Sequence, residues 1–214
     1  MPIFHRALWQ GPHQRLDNTK AADMLRQPPS FIQRTGATQD PYDLKTRQNR
    51  EHTVCFTGHR ILRKEDSPAL DQLDALLEAL YLRGYRDFLC GGALGFDQFA
   101  AKHVISLRDK YPDIRLIFCL PCADQSARWR AADCEHYEQL LYLADDLRVF
   151  SPQYYDGCMQ ARNAYMVDRS YLCVAYMKKL GGGTLSTVRY ALSEDVPVVN
   201  IAVPSAVDEF TQAL

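Results

Sequence analysis

The chain has 214 residues, 47% of them hydrophobic, with 25 Lys and Arg against 26 Asp and Glu for a formal net charge of -1. That length and apolar content fill one α/β core with an appendage and exclude the disordered class, while a balance so near neutrality gives no general argument for nucleic acid. The N-terminus, MPIFHRALWQGPHQR, has no apolar stretch long enough for a membrane span or a secretory signal, so a soluble, cytoplasmic protein is expected.

Charge is uneven along the chain. Residues 1–50 carry eight Lys or Arg against four Asp, a surplus of four that leaves the remainder at -5. This segment is rich in Gln, Pro and Thr and holds one short helical candidate, Asn18 to Gln27, stopped by Pro28-Pro29. It reads as a basic, irregular extension that packs on the domain, packs on a second subunit, or stays in solvent. Residues 51–214 form the domain proper.

From Thr53 strand and helix signals alternate. The expected strands are Val54 to Thr57, Phe88 to Cys90, Ile114 to Leu120, Leu147 to Phe150, Leu172 to Met177 and Val196 to Ala202. Between the first two, Leu70, Leu73, Leu76, Leu77 and Leu80 recur at helical spacing, with Ser67-Pro68 as cap and first position. Phe96, Phe99, Ala100, Val104 and Leu107 mark a second helix, and Trp129, Tyr137, Leu140 and Leu141 a third. Met159, Arg162 and Met166 share one face of a fourth, and Leu185, Val188 and Leu192 one face of a fifth. Such alternation predicts an α/β, Rossmann-like fold: a mainly parallel sheet of about six strands with helices on both faces.

Seven cysteines are an odd number, and several (Cys55, Cys90, Cys173) sit within apolar strands, which fits reduced, buried thiols. Cys119-Leu120-Pro121-Cys122, with Cys134 and His136 downstream, has zinc-ligand residue types but lacks a second close pair at finger spacing. No GxSxG elbow is present. Neither a metal nor a cofactor is expected, and no catalytic residue is assigned.

Three glycine turns follow strand signals: Thr57-Gly58-His59-Arg60, Gly91-Gly92-Ala93-Leu94-Gly95-Phe96-Asp97, and Gly181-Gly182-Gly183-Thr184. Glycines let a backbone bend and a ligand approach, and the free N–H groups of a following helix favour an anion. In parallel sheets ligands bind outside the carboxyl ends of the strands, where all three turns fall. A nucleotide-like ligand is therefore expected at Gly58, His59, Arg60, Gly91, Gly92, Gly95, Asp97, Arg162, Asn163, Gly182, Gly183 and Thr184. Arg60 suits a bidentate phosphate contact. His59 donates to phosphate, acts as acid or base, or bonds the loop. Asp97 bonds a ribose hydroxyl or caps its helix. Arg162 is an odd charge on a Met-rich face unless it reaches the pocket, with Asn163 and Asp168 in support. Thr184 is an N-cap, a phosphate donor, or both.

The succession TGHR, GGALGFD, RNAYMVD (Arg162 to Asp168) and GGGT, from Thr53 to about Ala202, resembles the SLOG superfamily, named for the Smf/DprA and LOG proteins, and within it the YpsA-like branch. The resemblance implies a Rossmann-like fold, a pocket for a nucleotide or ADP-ribose-like ligand, a role as sensor or as enzyme on that ligand, and a homodimer. LOG-type relatives are phosphoribohydrolases with motifs MHERK and PGGxGTxEE. Against them Arg162 is retained and Asn163 takes the lysine position, while Ser186 and Thr187 stand where the two glutamates would be. A carboxylate is what stabilises the oxocarbenium character of glycosidic cleavage, so the hydrolase reading is disfavoured. DprA relatives handle single-stranded DNA, which gives an alternative reading with the basic arm tracking a phosphate backbone. The core is acidic and its aromatics are not interleaved with Lys or Arg, so nucleic acid is not an expected partner.

Overall fold

A computed structural model describes residues 50–212; the N-terminal extension and its Asn18–Gln27 helical candidate lie outside the described residues. Six strands form one all-parallel sheet: β1 (Thr53–Gly58), β2 (Asp87–Cys90), β3 (Arg115–Leu120), β4 (Asp146–Val149), β5 (Leu172–Tyr176) and β6 (Val198–Asn200). Their spatial order is β4-β3-β2-β1-β5-β6. The helices are α1 (Ser67–Leu70), α2 (Leu73–Leu82), α3 (Phe96–Leu107), α4 (Ala131–Tyr142), α5 (Cys158–Asp168), α6 (Gly182–Ser193) and α7 (Pro204–Gln212). All six expected strands are present, as are the five expected helices; α7 has no counterpart in the sequence reading. Among the described residues no helix is long and apolar enough to cross a membrane.

Period-two alternation sorts each strand between two unequal cores. Val54 and Phe56 of β1, Phe88 of β2, Leu116 and Phe118 of β3 and Val174 and Tyr176 of β5 join the larger, with Leu residues of α2, Phe96 of α3, Tyr137 of α4 and Val207 of α7. The intervening Cys55, Leu89, Ile117, Cys119 and Cys173 face the other way, onto Met166 and Val167 of α5 and Ala191 of α6. Cys55, Cys119 and Cys173 thus line the smaller core, while Cys90 of β2 faces the larger one, and on both sides the thiols pack as small apolar groups. All seven cysteines are free thiols, and six are buried.

Two local expectations are corrected. Asp66 rather than Ser67 occupies the N-cap of α1, and the Ser67 hydroxyl donates to the Asp71 carboxylate at 3.2 Å. On α6 the inward stripe is Thr184, Thr187, Val188 and Ala191, while Leu192 is 59% exposed. The glycine turn starts this helix with its small polar residues inward, beside the open strand ends.

The chain builds outward from β1 through β2, β3 and β4, then crosses back to place β5 on the other side of β1. The loops after β1 and β5 lead to helices on opposite faces, and this switch opens a crevice at their carboxyl ends.

Candidate functional site

A cavity of about 310 Å³ occupies that crevice. Thr57, Gly58, His59 and Arg60 from the end of β1, Ala93 and Asp97 from the β2–α3 turn, Met159, Arg162 and Asn163 from α5, and Gly181 to Thr184 at the start of α6 line it. Nine of the twelve expected residues thus come together. Gly91, Gly92 and Gly95 stand behind the wall.

Their role is packing. Gly95 has φ +86°, and a Cβ there would fall 2.5 Å from the Arg60 carbonyl carbon. A Cβ on Gly58 would lie 2.5 Å from Phe96 Cβ. The first two glycine motifs therefore exist partly to let each other's backbone through. Gly91 is tight for another reason: its missing Cβ leaves room for the Arg162 guanidinium and for Asp97 Oδ2, 2.6 Å from where that atom would be.

Arg162 is buried, 4% exposed, and already engaged. Its Nη1 donates to the carbonyls of Gly91 and, at 2.8 Å, Cys119, pinning the carboxyl ends of β2 and β3. Its Nε donates to Asn163 Oδ1 at 2.7 Å. Asn163 Nδ2 donates in turn to Thr187 Oγ1 at 2.8 Å, and the Thr187 hydroxyl donates to Gly183 O at 3.0 Å. This relay runs from two strand ends through α5 to the glycine turn of α6. Thr187 escaped the sequence reading; the inward stripe with Thr184, Val188 and Ala191 was the signal that could have found it.

His59 performs one of its three expected roles. Its Nε2 accepts the backbone N–H of Lys178 at 2.9 Å and of Lys179 at 3.3 Å, which places the neutral ring's proton on Nδ1. Asn200 clamps Met177 in the same loop, accepting its N–H and donating to its carbonyl, both at 2.9 Å. Lys178 Nζ reaches Asp66 Oδ1 at 2.5 Å, and Asp66 is 4% exposed. The Lys178 bond, helped by the Arg63 N–H, lowers the Asp66 pKa to about 2. The loop after β5 is thus tied down beside the cavity by His59, Asn200 and Asp66.

Three features remain open to a ligand. Arg60 is exposed and makes no hydrogen bond or ion pair among the described residues. No side chain caps α6 at Gly181, so its first N–H groups face the cavity without intrahelical partners. Asp97 is the one carboxylate among the lining residues; burial pushes its pKa up to about 6 against the opposing pull of Arg162, the Ala93 N–H and Arg60. Asp168 points elsewhere, accepting the Tyr190 hydroxyl at 2.8 Å. Among the described residues no cluster of three or more His, Cys, Asp or Glu could hold a metal.

A family model, YpsA, described as the YspA SLOG family, matches residues 64–193, and the chain belongs to that family. It is 34% identical over 139 residues to the uncharacterized SPbeta prophage-derived protein YoqJ of Bacillus subtilis, covering 56% of this chain and 78% of that protein. Among solved structures it is similar in fold to DNA processing protein A from Helicobacter pylori, with TM-score 0.51 and 19% identity over 71% of this chain and 65% of that one. The Streptococcus pneumoniae DprA gives 0.52 and 17% over 79% and 57%. Each match spans less than two thirds of the DprA chain, and likeness at that identity carries the fold. The Helicobacter pylori structure concerns a single-stranded DNA binding mode, which overturns the expectation that nucleic acid is not a partner. That expectation rested on the acidic balance of residues 51–214 and on aromatics not interleaved with Lys or Arg, and a summed balance does not report where charges sit.

Proposed function

We propose, for a member of the SLOG superfamily with this crevice, that the chain binds a nucleotide or nucleotide-derived, ADP-ribose-like ligand by its phosphate, as a sensor or as an enzyme acting on that ligand. The observation that carries the reading is the convergence on one cavity of an unpaired guanidinium, Arg60, and the uncapped start of α6 at Gly181–Thr184. Both favour an anion, and the cavity size lies at the lower end of the range for small-molecule sites. Thr187, at one of the two glutamate positions of the LOG-type motif, spends its hydroxyl on Gly183, which supports binding over LOG-type hydrolysis. Mass spectrometry of material that co-purifies with the chain tests the proposal, together with calorimetry against nucleoside monophosphates and ADP-ribose. Absence of any phosphorylated ligand in both would overturn it.

The fold shared with DprA favours a second reading, in which the same phosphate cradle takes one phosphate of a single strand. Lys179 and Arg60 are exposed at this edge of the sheet, and Lys178 is half-exposed there. A salt titration of a labelled oligonucleotide separates the two, because a strand contacting several phosphates loses affinity steeply with salt while a mononucleotide does not.

A further inference from the structure

A second, larger cavity of about 560 Å³ lies between α5 and α6 and shares Met159, Asn163, Gly182 and Gly183 with the first. Nothing in the phosphate reading uses it. Its lining changes character: Ala161, Ala164 and the Tyr190 ring join Met159, no charged side chain contributes, and the free polar groups are the Gln160 amide and the Ser186 hydroxyl. The Tyr190 ring is held in place by its hydroxyl bond to Asp168, an anchor outside the groove. Gly182 and Gly183 line both cavities, so a phosphate seated at the start of α6 would border this groove directly.

We propose that the groove between α5 and α6 receives the planar heterocyclic base of the ligand whose phosphate sits at Gly182–Thr184, so that the chain selects nucleotides over sugar phosphates. The proposal rests on the phosphate reading above. A base suits the lining because it is uncharged, has two flat faces for Met159 and Tyr190, and carries edge donors and acceptors for Gln160 and Ser186. Asn163 and Thr187 of the relay themselves line the groove, so the two halves of the site are set by one hydrogen-bond chain.

The test is calorimetry of the full chain with AMP, GMP, UMP, ADP-ribose, ribose 5-phosphate and inorganic phosphate, repeated in Ser186→Trp and in Ala161→Trp. Both positions are exposed, on opposite walls of the groove, so either indole can fill it without entering the core. The expected result is that at least one nucleotide binds about tenfold or more tightly than ribose 5-phosphate, and that both variants lose this advantage while ribose 5-phosphate binding stays unchanged. Equal affinity for nucleotide and sugar phosphate in the unmodified chain would overturn the base subsite while leaving the phosphate reading intact. So would a nucleotide advantage that survives both tryptophans. If sedimentation shows that the tryptophans split a dimer, the groove is a self-interface and the proposal fails. Binding of none of the six compounds removes the phosphate reading and the base subsite together.

Discussion

Asn163 Nδ2 donates to Thr187 Oγ1 at 2.8 Å, and through this one bond the Arg162 guanidinium that pins β2 and β3 is linked to the glycine turn of α6. Thr187→Val keeps the shape and removes the hydroxyl, leaving a half-buried amide donor unpaired. A loss of about 1–3 kcal/mol in urea unfolding is expected, with weaker phosphate-ligand binding. Thr187→Ser should restore both, and failure of the serine to do so would show that the methyl group, not the bond, matters.

The two site arginines separate by experiment. Arg60→Ala should leave the melting temperature within error, because the side chain is exposed and unpaired, yet weaken a phosphorylated ligand by roughly tenfold to a hundredfold, the range of a charged hydrogen bond. Arg162→Ala should lower the melting temperature clearly, since the carbonyls of Gly91 and Cys119 lose a buried donor. Thermal melts and calorimetry on both variants check this; equal melting losses would contradict it.

Gly95→Ala tests the interlock of the first two turns. At φ +86° an alanine is strained, and its Cβ meets the Arg60 backbone rather than a side chain that could swing away. Destabilisation of more than about 1 kcal/mol is expected. Gly181→Ala, with φ 168° and open space around the added atom, should be close to neutral. Denaturant midpoints for the pair decide it.

Asp97 and Asp66 titrate in opposite senses. The folded pKa of Asp97 is raised from the ordinary 3.8 to about 6, so the native state binds the extra proton and the group's contribution is present below about pH 4 and lost as pH rises through 6. Asp97→Asn should therefore flatten the pH dependence of stability between about pH 4 and 6. Asp66 is lowered to about 2 by its Lys178 bond, so its contribution is present above pH 4 and lost as pH falls toward 2. Lys178→Met should move acid unfolding to higher pH. Stability curves against pH for the two variants give the signs directly, and parallel shifts would refute the assignment.

The strand positions, the five longer helices of the core and the three glycine turns were legible in the sequence because alternation at period two, recurrence at period 3.6 and glycine after an apolar run are local signals. Nine of twelve expected site residues meet at one cavity for the same reason: parallel topology sends every strand's carboxyl end to one edge. What composition could not give was the placing of charge at that edge, where Arg60 and Lys179 are exposed although residues 51–214 are acidic as a whole.

By itself the sequence determined the alternating elements, and with them the sheet and the end of it where the cavity opens. Only the tertiary structure decided what each residue does there. Gly91 and Gly95 clear space for Arg162 and for the Arg60 backbone, His59 accepts from the loop after β5, and Thr187 holds Gly183. These are contacts between residues tens of positions apart in most cases, and the strand order β4-β3-β2-β1-β5-β6 that brings them together is a property of packing, not of any local pattern.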